Sequence, residues 1–366
     1  MNRRPVYAFL AMILLMTGLA IRASQQEAQP YLTPEKYRSL QKYEVEYLGT
    51  RGVPVERVLW TSGIYPVTHL STEDSYIEWY RAAYCSRWFI PVLVDEDLHV
   101  FAWGEKIGNG NISVSAMPRP RHSIMDVAPT AAGALGLDMG DIDGKRLTDA
   151  RASKVIVLYV DGMGWHRYHW ASKNGVTKNI SSLGDPLIAS SVYPSISVVN
   201  SAAMTTGLPP EQNGVDAWDN RTLAARTNIE IANDMGISAA WIDGRKPPIS
   251  MDNGIINANG SSNISATDME VIDRTISEYR NGTRLIYAHM SFTDKIMHYT
   301  GPYSSESLEA IAHADELTGK VLENVEPGTM VILLADHGGH DIKGGEGDHG
   351  SLLPQDMLIP IFIKKF

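Results

Sequence analysis

From Lys154 to the C-terminus the chain alternates short apolar runs with amphipathic stretches. The run VIVLYV (155–160) is apolar throughout and rich in β-branched residues. That composition predicts a strand buried on both faces. LIASSVY (187–193), ISAAWI (237–242), RLIYAHMSF (284–292), TMVILLA (329–335) and MLIPIFI (357–363) repeat the character. Between two of them, residues 304–325 place Leu308, Ile311, Ala314, Leu317 and Val321 on one helical stripe. Strands alternating with helices predict an α/β protein with a doubly wound, mostly parallel sheet.

The pattern is less regular upstream. Pro34 opens a predicted helix through YRSLQKYEVEYLGTRG, and a second is predicted from Ser71 to Tyr84. In the second, Tyr76, Trp79, Tyr80 and Tyr84 fall at helical spacing and are assigned to the core. RWFIPVLV (87–94), LHVFAWG (98–104) and ISVSAM (112–117) read as strands, with a turn at Gly108-Asn109-Gly110. Ser123 or Asp126 can cap a helix running to Leu135, with Gly136 closing it. At the start, Arg3 and Arg4 precede an apolar run from Val6 to Ile21. This predicts a signal peptide or membrane anchor over 1–23, with the remainder outside the cytoplasm, secreted or anchored. Six Asn-x-Ser/Thr sequons, at Asn111, Asn179, Asn220, Asn259, Asn263 and Asn281, fit an exported chain. The expected divisions are an N-terminal extension at 24–85, a segment at 86–150 and a core at 151–366.

Composition narrows the partners. The net charge of −10 argues against a nucleic-acid duplex. Cys85 is the single cysteine, so no internal disulfide can form, and a buried thiol is expected.

The chemistry concentrates around SVYPSISVVNSAAMTTGLPPEQNGV (191–215). Pro194 breaks the preceding strand, a short helix of small residues can follow, and Gly207 with Pro209 and Pro210 ends it. Ser197 then stands at a helix start, where free N–H groups and the helix dipole favour a phosphate-like anion. A serine hydroxyl needs activation to attack. Acidic and imidazole residues occur just past the predicted strands: Asp161, Asp294 with His298, Asp336 with His337, and His349. In open α/β sheets ligands bind at the carboxyl ends of strands, so these groups should meet Ser197 in one crevice. Mixed Asp/His donors without a thiolate suit two divalent ions, with zinc the natural candidate. Such a pair can clamp both oxygens of an in-line displacement. His340, Asp341, Glu346 and Asp348 are expected in loops or behind the ligands. Lys295 is expected at the surface, Arg245-Lys246 is a candidate anion contact, and Trp218 is assigned to the core.

These motifs resemble the alkaline phosphatase superfamily, and within it the type I phosphodiesterase/nucleotide pyrophosphatase family. Pro194, Ser197, Asn200 and Thr206-Gly207-Leu208 match the family's nucleophile segment, and EQNGV (211–215) resembles its Glu-Ser-His-Gly-Ile. TDKIMHYTGP (293–302) resembles Pro-Asp-x-x-Gly-His-x-x-Gly-Pro, and DHG (336–338) is intact. The resemblance implies one metal on Asp161, Ser197, Asp336 and His337, and another on Asp294, His298 and His349. It also implies that Asn200 and the Ser197 N–H stabilise charge in the transition state. Thr293, Met297 and Val198-Val199 depart from the pattern, the last pair at the wall where a nucleotide base stacks in relatives. HSIMDVAPTAAGALGL (122–137) resembles a helix that relatives carry after their last strand. The order here implies a circular permutation in which 86–150 completes the core.

The expected activity is hydrolysis of a phosphodiester or pyrophosphate in a small molecule or an envelope glycan or lipid. Phosphomonoester hydrolysis, phosphotransfer and a non-catalytic envelope-binding role are the alternatives. If the first segment is not cleaved, it would hold the chain to a membrane.

Overall fold

The structure, a computed structural model, describes residues 26–28, 32–86, 90–244, 247–258 and 264–366. The N-terminal apolar run, Arg245-Lys246 and the sequons at Asn259 and Asn263 lie outside the described residues. Among the described residues no helix is long and apolar enough to cross a membrane. Contacts divide the chain into two compact units, one of residues up to 82 with 90–119, the other of 83–89 with 120–366. Residues 90–119 fall in the first unit and 120–150 in the second.

In the first unit the strands are β1 (Gln26–Ala28), β2 (Val45–Tyr47), β3 (Thr50–Pro54), β4 (Val67–Ser71), β5 (Tyr76–Glu78), β6 (Val92–Val94), β7 (Val100–Ala102), β8 (Glu105–Gly108) and β9 (Ser113–Ala116). They form the sheets β1-β9-β4-β5 and β2-β3-β6-β7-β8. The helices are α1 (Pro34–Leu40), α2 (Val55–Thr61) and, at the boundary, α3 (Trp79–Tyr84). Two predicted helices are therefore shorter than expected. The first stops at Leu40, and β2 pairs with β3 across Leu48-Gly49, with φ of 49° and 77°. A two-residue turn with both φ positive matches strand twist and closes a hairpin. In the second, Ile77 faces inward while Tyr76 and Glu78 face out, which is strand alternation. The aromatic stripe is not a core face: Trp79 is fully buried, but Tyr76 is 66% exposed and Tyr84 is also exposed. Cys85 is exposed, not buried.

In the second unit the strands continue as β10 (His122–Ser123), β11 (Lys154–Val160), β12 (Leu187–Ser190), β13 (Ala239–Asp243), β14 (Ile255–Asn257), β15 (Leu285–Met290), β16 (Thr329–Leu334), β17 (His340–Ile342), β18 (Glu346–Asp348) and β19 (Leu358–Lys365). Eight of them form one sheet in the order β10-β12-β19-β16-β11-β15-β13-β14. β19 runs antiparallel to both neighbours and the other pairs are parallel, giving the mixed α/β sheet. β11 sits centrally, and Val155 to Val160 are all buried.

The helices are α4 (Val127–Ala134), α5 (Trp165–Lys173), α6 (Lys178–Ser181), α7 (Ser197–Thr206), α8 (Pro210–Asn213), α9 (Asn228–Asp234), α10 (Ile264–Arg280), α11 (Phe292–Thr300), α12 (Ser305–Leu322) and α13 (Pro354–Met357). α4, α7 and α9 pack on one another, and α10, α11 and α12 do likewise. Ile311, Ala314, Leu317 and Val321 form the buried stripe of α12. Ser123 makes a capping box with Asp126 ahead of α4, and Gly136 follows α4 at φ 86°. α4 lies in the same unit as β19, and β12 separates β10 from β19 in the sheet. A permuted chain order is not shown by this arrangement.

Candidate metal centre

β11, β15 and β16 are adjacent and parallel, so their C-terminal ends share one edge. Asp161 follows β11, Asp294 and His298 lie on α11 after β15, and Asp336 and His337 follow β16. Ser197 is the first residue of α7, with Ile196 as an extended N-cap. Its backbone N–H therefore has no acceptor within the helix. Gly207 ends α7 in the left-handed conformation at φ 72°.

All seven sequence-selected metal-ligand candidates come together. Ser197 Oγ donates to Asp161 Oδ1 at 3.2 Å and lies 3.2 Å from His337 Nε2. His337 Nε2 is also 3.4 Å from Asp161 Oδ1 and 3.1 Å from Asp336 Oδ2. In the second group, His298 Nε2 is 3.3 Å from Asp294 Oδ2 and 3.2 Å from His349 Nε2, which is 3.6 Å from Asp294 Oδ1. Asp294 belongs to both groups by position, because its carboxylate also falls within 4.8 Å of ligand atoms of Asp161 and His337.

The donor set fits divalent cations. Nδ1 of His298, His337 and His349 contacts the carbonyls of Gly347, Gly338 and Ser195 at 3.0, 2.8 and 2.9 Å. A carbonyl only accepts, so each Nδ1 carries the proton and each Nε2 turns a lone pair to the cluster. Two such lone pairs 3.2 Å apart, in His298 and His349, repel unless a cation or proton lies between them. Asp294 Oδ1 is buried without a hydrogen-bond donor. Ligands about 2.0–2.1 Å from a tetrahedral ion stand roughly 3.3–3.4 Å apart. The separations of 3.1–3.6 Å have that scale.

Without a cation the cluster's charges bear on one another. Burial lowers His337, but Asp336 and Asp161 outweigh it and push it up to about 10. Burial and the nearby Asp161 charge push Asp336 up to about 7. His349 is held down to about 4 by burial and by His337. Burial raises Asp161, but His289 and His337 overcome this and hold it below the usual range. Bringing so many ionisable groups together is costly without a counter-charge, and such strongly perturbed clusters concentrate at functional sites.

Several supporting residues were missed in the sequence. Arg167 is fully buried and donates to the carbonyls of Gly162 at 2.6 Å, Thr293 at 3.1 Å and Pro302 at 3.3 Å. It thereby ties the residue after Asp161 to the residue before Asp294. Thr293, which stands where relatives have Pro, adds a hydroxyl donation to the Asp161 carbonyl. Tyr159 OH and Gly162 N–H donate to the two oxygens of Asp336 at 2.8 and 3.0 Å. Gly162 has φ 67°, and a Cβ there would sit 2.9 Å from Asp294 Oδ1, so both conformation and space require glycine. His340 Nδ1 pairs with Asp356 Oδ1 at 2.8 Å, while Asp356 Oδ2 accepts from the Ser351 N–H and hydroxyl. Tyr159 carried a signal, a polar tip inside an otherwise buried strand, whereas Arg167 lies on a mostly polar helix and gave none.

Other expectations change. The Asn200 amide faces the loop before α7: Oδ1 accepts from Val192 N–H at 2.8 Å, and Nδ2 lies 3.1 Å from the Ile196 carbonyl. In this arrangement the amide braces the loop that leads into Ser197. Val198 and Val199 are buried and form no open wall. Met297 is buried against Gly339 and Gly347, where an added Cβ would meet Met297 atoms at 2.1 and 2.7 Å. Trp218 is not core: it is 57% exposed, with the Arg221 guanidinium 5.7 Å from its ring. Lys295 lies 5.1 Å from the Tyr299 ring centroid. Asp348 Oδ1 accepts from the His349 N–H at 2.9 Å.

A helix-start hydroxyl thus stands among carboxylates and imidazoles at the ends of parallel strands. The sequence model of the type I phosphodiesterase/nucleotide pyrophosphatase family matches residues 155–254 and 261–358, more than half the chain, and the chain belongs to that family. Among curated proteins it is 24% identical over 230 residues to GPI ethanolamine phosphate transferase 2 of Yarrowia lipolytica, covering 58% of this chain and 26% of that one. The chain thus spans about a quarter of that relative's length. Among solved structures, phosphonoacetate hydrolase from Sinorhizobium meliloti aligns with TM-score 0.44 and 18% identity, over 54% of this chain and 59% of that one. Murine ectonucleotide pyrophosphatase/phosphodiesterase 5 aligns with TM-score 0.42 and 17% identity, over 51% and 57%.

Proposed function

We propose that this chain cleaves a phosphodiester or pyrophosphate bond by way of a covalent phosphoserine at Ser197. Two divalent cations, zinc first among candidates, would be held by Asp161, Asp336, His337 and Ser197, and by Asp294, His298 and His349. The observation that carries the reading is the meeting of Ser197 Oγ with Asp161 Oδ1 and His337 Nε2, both at 3.2 Å, at the start of α7. Bound there, the cations would supply Lewis-acid stabilisation of negative charge on the hydroxyl and phosphate oxygens.

The protein's own groups do the rest. Asp161 accepts the hydroxyl hydrogen bond and orients Oγ. The first N–H groups of α7, which have no acceptor within the helix, would be donors to the phosphoryl oxygens. Oγ forms a bond to phosphorus as the bond to the leaving oxygen breaks, its proton passing along the hydrogen bond to Asp161 and on to the leaving oxygen. A second oxygen nucleophile, giving up its own proton, then displaces Oγ, which is reprotonated. If that nucleophile is water, the enzyme is a hydrolase. If it is an alcohol, the enzyme is a transferase. The likeness to GPI ethanolamine phosphate transferase 2 favours transfer as the second reading, with an envelope glycan or lipid as acceptor or donor. The apolar run at Val6–Ile21 supports placement outside the cytoplasm, where such substrates lie.

Metal-reconstituted full-length protein, assayed on p-nitrophenyl phosphate and on p-nitrophenyl phosphodiesters with and without added alcohols, separates the readings. Preference for the diester with free phosphate-ester product supports hydrolysis, and an alcohol-dependent new ester supports transfer. No turnover on any ester would refute both.

A further inference from the structure

The mechanism above uses one oxygen of Asp161, and the other has a dedicated partner. Three adjacent parallel strands, β11, β15 and β13, bring Asp161, His289 and Asp243 to the same sheet edge. His289 Nε2 lies 2.9 Å from Asp161 Oδ2, and its Nδ1 lies 2.8 Å from Asp243 Oδ2. Trp241 Nε1 donates to that same Asp243 oxygen at 3.3 Å. The imidazole stacks on Tyr159, its register partner, at 4.3 Å and 11°. All of these side chains are buried.

We infer that the Asp243–His289 pair is a positioning device that fixes which oxygen of Asp161 faces Ser197. The inference rests on the reading of Asp161 as a cation ligand. A carboxylate has two equivalent oxygens, and Asp161 stands within reach of both ligand groups, since Asp294 and His337 are its neighbours. With Oδ2 undirected, the carboxylate could turn and offer both oxygens to one cation, or bridge two. His289 occupies Oδ2, leaving Oδ1 for Ser197 and His337. Both imidazole nitrogens face acceptor-only carboxylates, so both can donate, and Asp243 fixes the ring while supplying compensating charge. His289 and Asp243 touch neither Ser197 nor, in this account, any reacting atom. They act through Asp161.

The test is a two-site titration of the full-length protein with Zn²⁺, followed by the absorption spectrum of the Co²⁺-substituted form. The variants are His289→Gln, Asp243→Asn and the double substitution. His289→Gln should weaken the site containing Asp161 by about ten- to a hundredfold and alter its Co²⁺ spectrum, while the Asp294–His298–His349 site stays within about threefold. Asp243→Asn keeps shape and should change affinity in the same direction by less. The double variant should be no weaker than His289→Gln alone, because Asp243 acts only through His289. Unchanged affinity in a folded His289→Gln protein, or additive losses in the double variant, would overturn the inference while leaving the proposed function standing. If His289→Gln does not fold, Asp243→Asn alone carries the test: weakened binding at the Asp161 site supports the inference and unchanged binding overturns it. A wild-type protein that binds no divalent cation would overturn both.

Discussion

Removing Arg167 isolates the force that ties the two ligand-bearing loops together. Its guanidinium donates to the carbonyls of Gly162, Thr293 and Pro302, with no water-exposed surface. In Arg167→Met the volume is largely kept and the donors are lost. Three buried carbonyls losing a charged donor cost roughly 1.5–2 kcal/mol each, or about 4.5–6 in total. Against this, burial disfavours the charge and pulls the guanidinium down to about 10. That shift corresponds to about 3 kcal/mol relieved when the charge is removed. The net destabilisation of Arg167→Met should be about 1–3 kcal/mol. Arg167→Ala adds an unfilled cavity and should reach about 3–6 kcal/mol. Arg167→Lys keeps a charge but lacks the fork that reaches three acceptors, and should fall near Met. Urea unfolding in the presence of a chelator measures these values without a binding contribution from metal. If Arg167→Met unfolds within about 0.5 kcal/mol of wild type, the carbonyl clamp is not what holds these loops.

Three further predictions follow from particular contacts. Thr227 caps α9 in a reciprocal box with Glu230, so Thr227→Ala should cost about 1 kcal/mol in a urea melt, with no change in metal affinity. In the His340–Asp356 pair, burial opposes both charges, yet Asp356 raises His340 above 6.5 and His340 with Ser351 holds Asp356 below 3.8. A raised histidine contributes fully below its unfolded value and loses the contribution as pH climbs through its folded value. A lowered carboxylate loses its contribution as pH falls through its folded value. The stability gap between wild type and Asp356→Asn should therefore be widest between pH 3.8 and 6.5 and shrink on both sides, and a gap independent of pH would contradict the pairing. Asp336→Asn should lower both cation stoichiometry and turnover, and normal stoichiometry would count against its role.

The sheet was legible because its central strands are almost wholly apolar: 155–160, 285–290 and 329–334 stand out against amphipathic helices. The cluster was legible because strand ends in such sheets share an edge, so Asp161, Asp294 and Asp336 had to be near one another. Side-chain partners beyond that edge were not. His289 sits inside the run LIYAHM, where its polarity hinted at a function, but its two carboxylates lie on other strands. Asn200 matched a motif, yet its orientation depends on the loop at 192–196, which no spacing rule fixes. In the first unit, Leu48-Gly49 makes a hairpin turn without the usual Asn-Gly pair, so a strand was read as helix. The exposed position of Trp218 likewise follows from loop placement and not from its own apolar character.

The central claim is that Ser197 carries the phosphoryl group. The most direct measurement is rapid acid quench of the metal-loaded protein during turnover of a ³²P-labelled phosphodiester, with peptide mapping of the label. The account predicts label on the peptide containing Ser197 in wild type and none in Ser197→Ala, whose fold is retained. Turnover by Ser197→Ala at the wild-type rate, or label on a different residue, would contradict it.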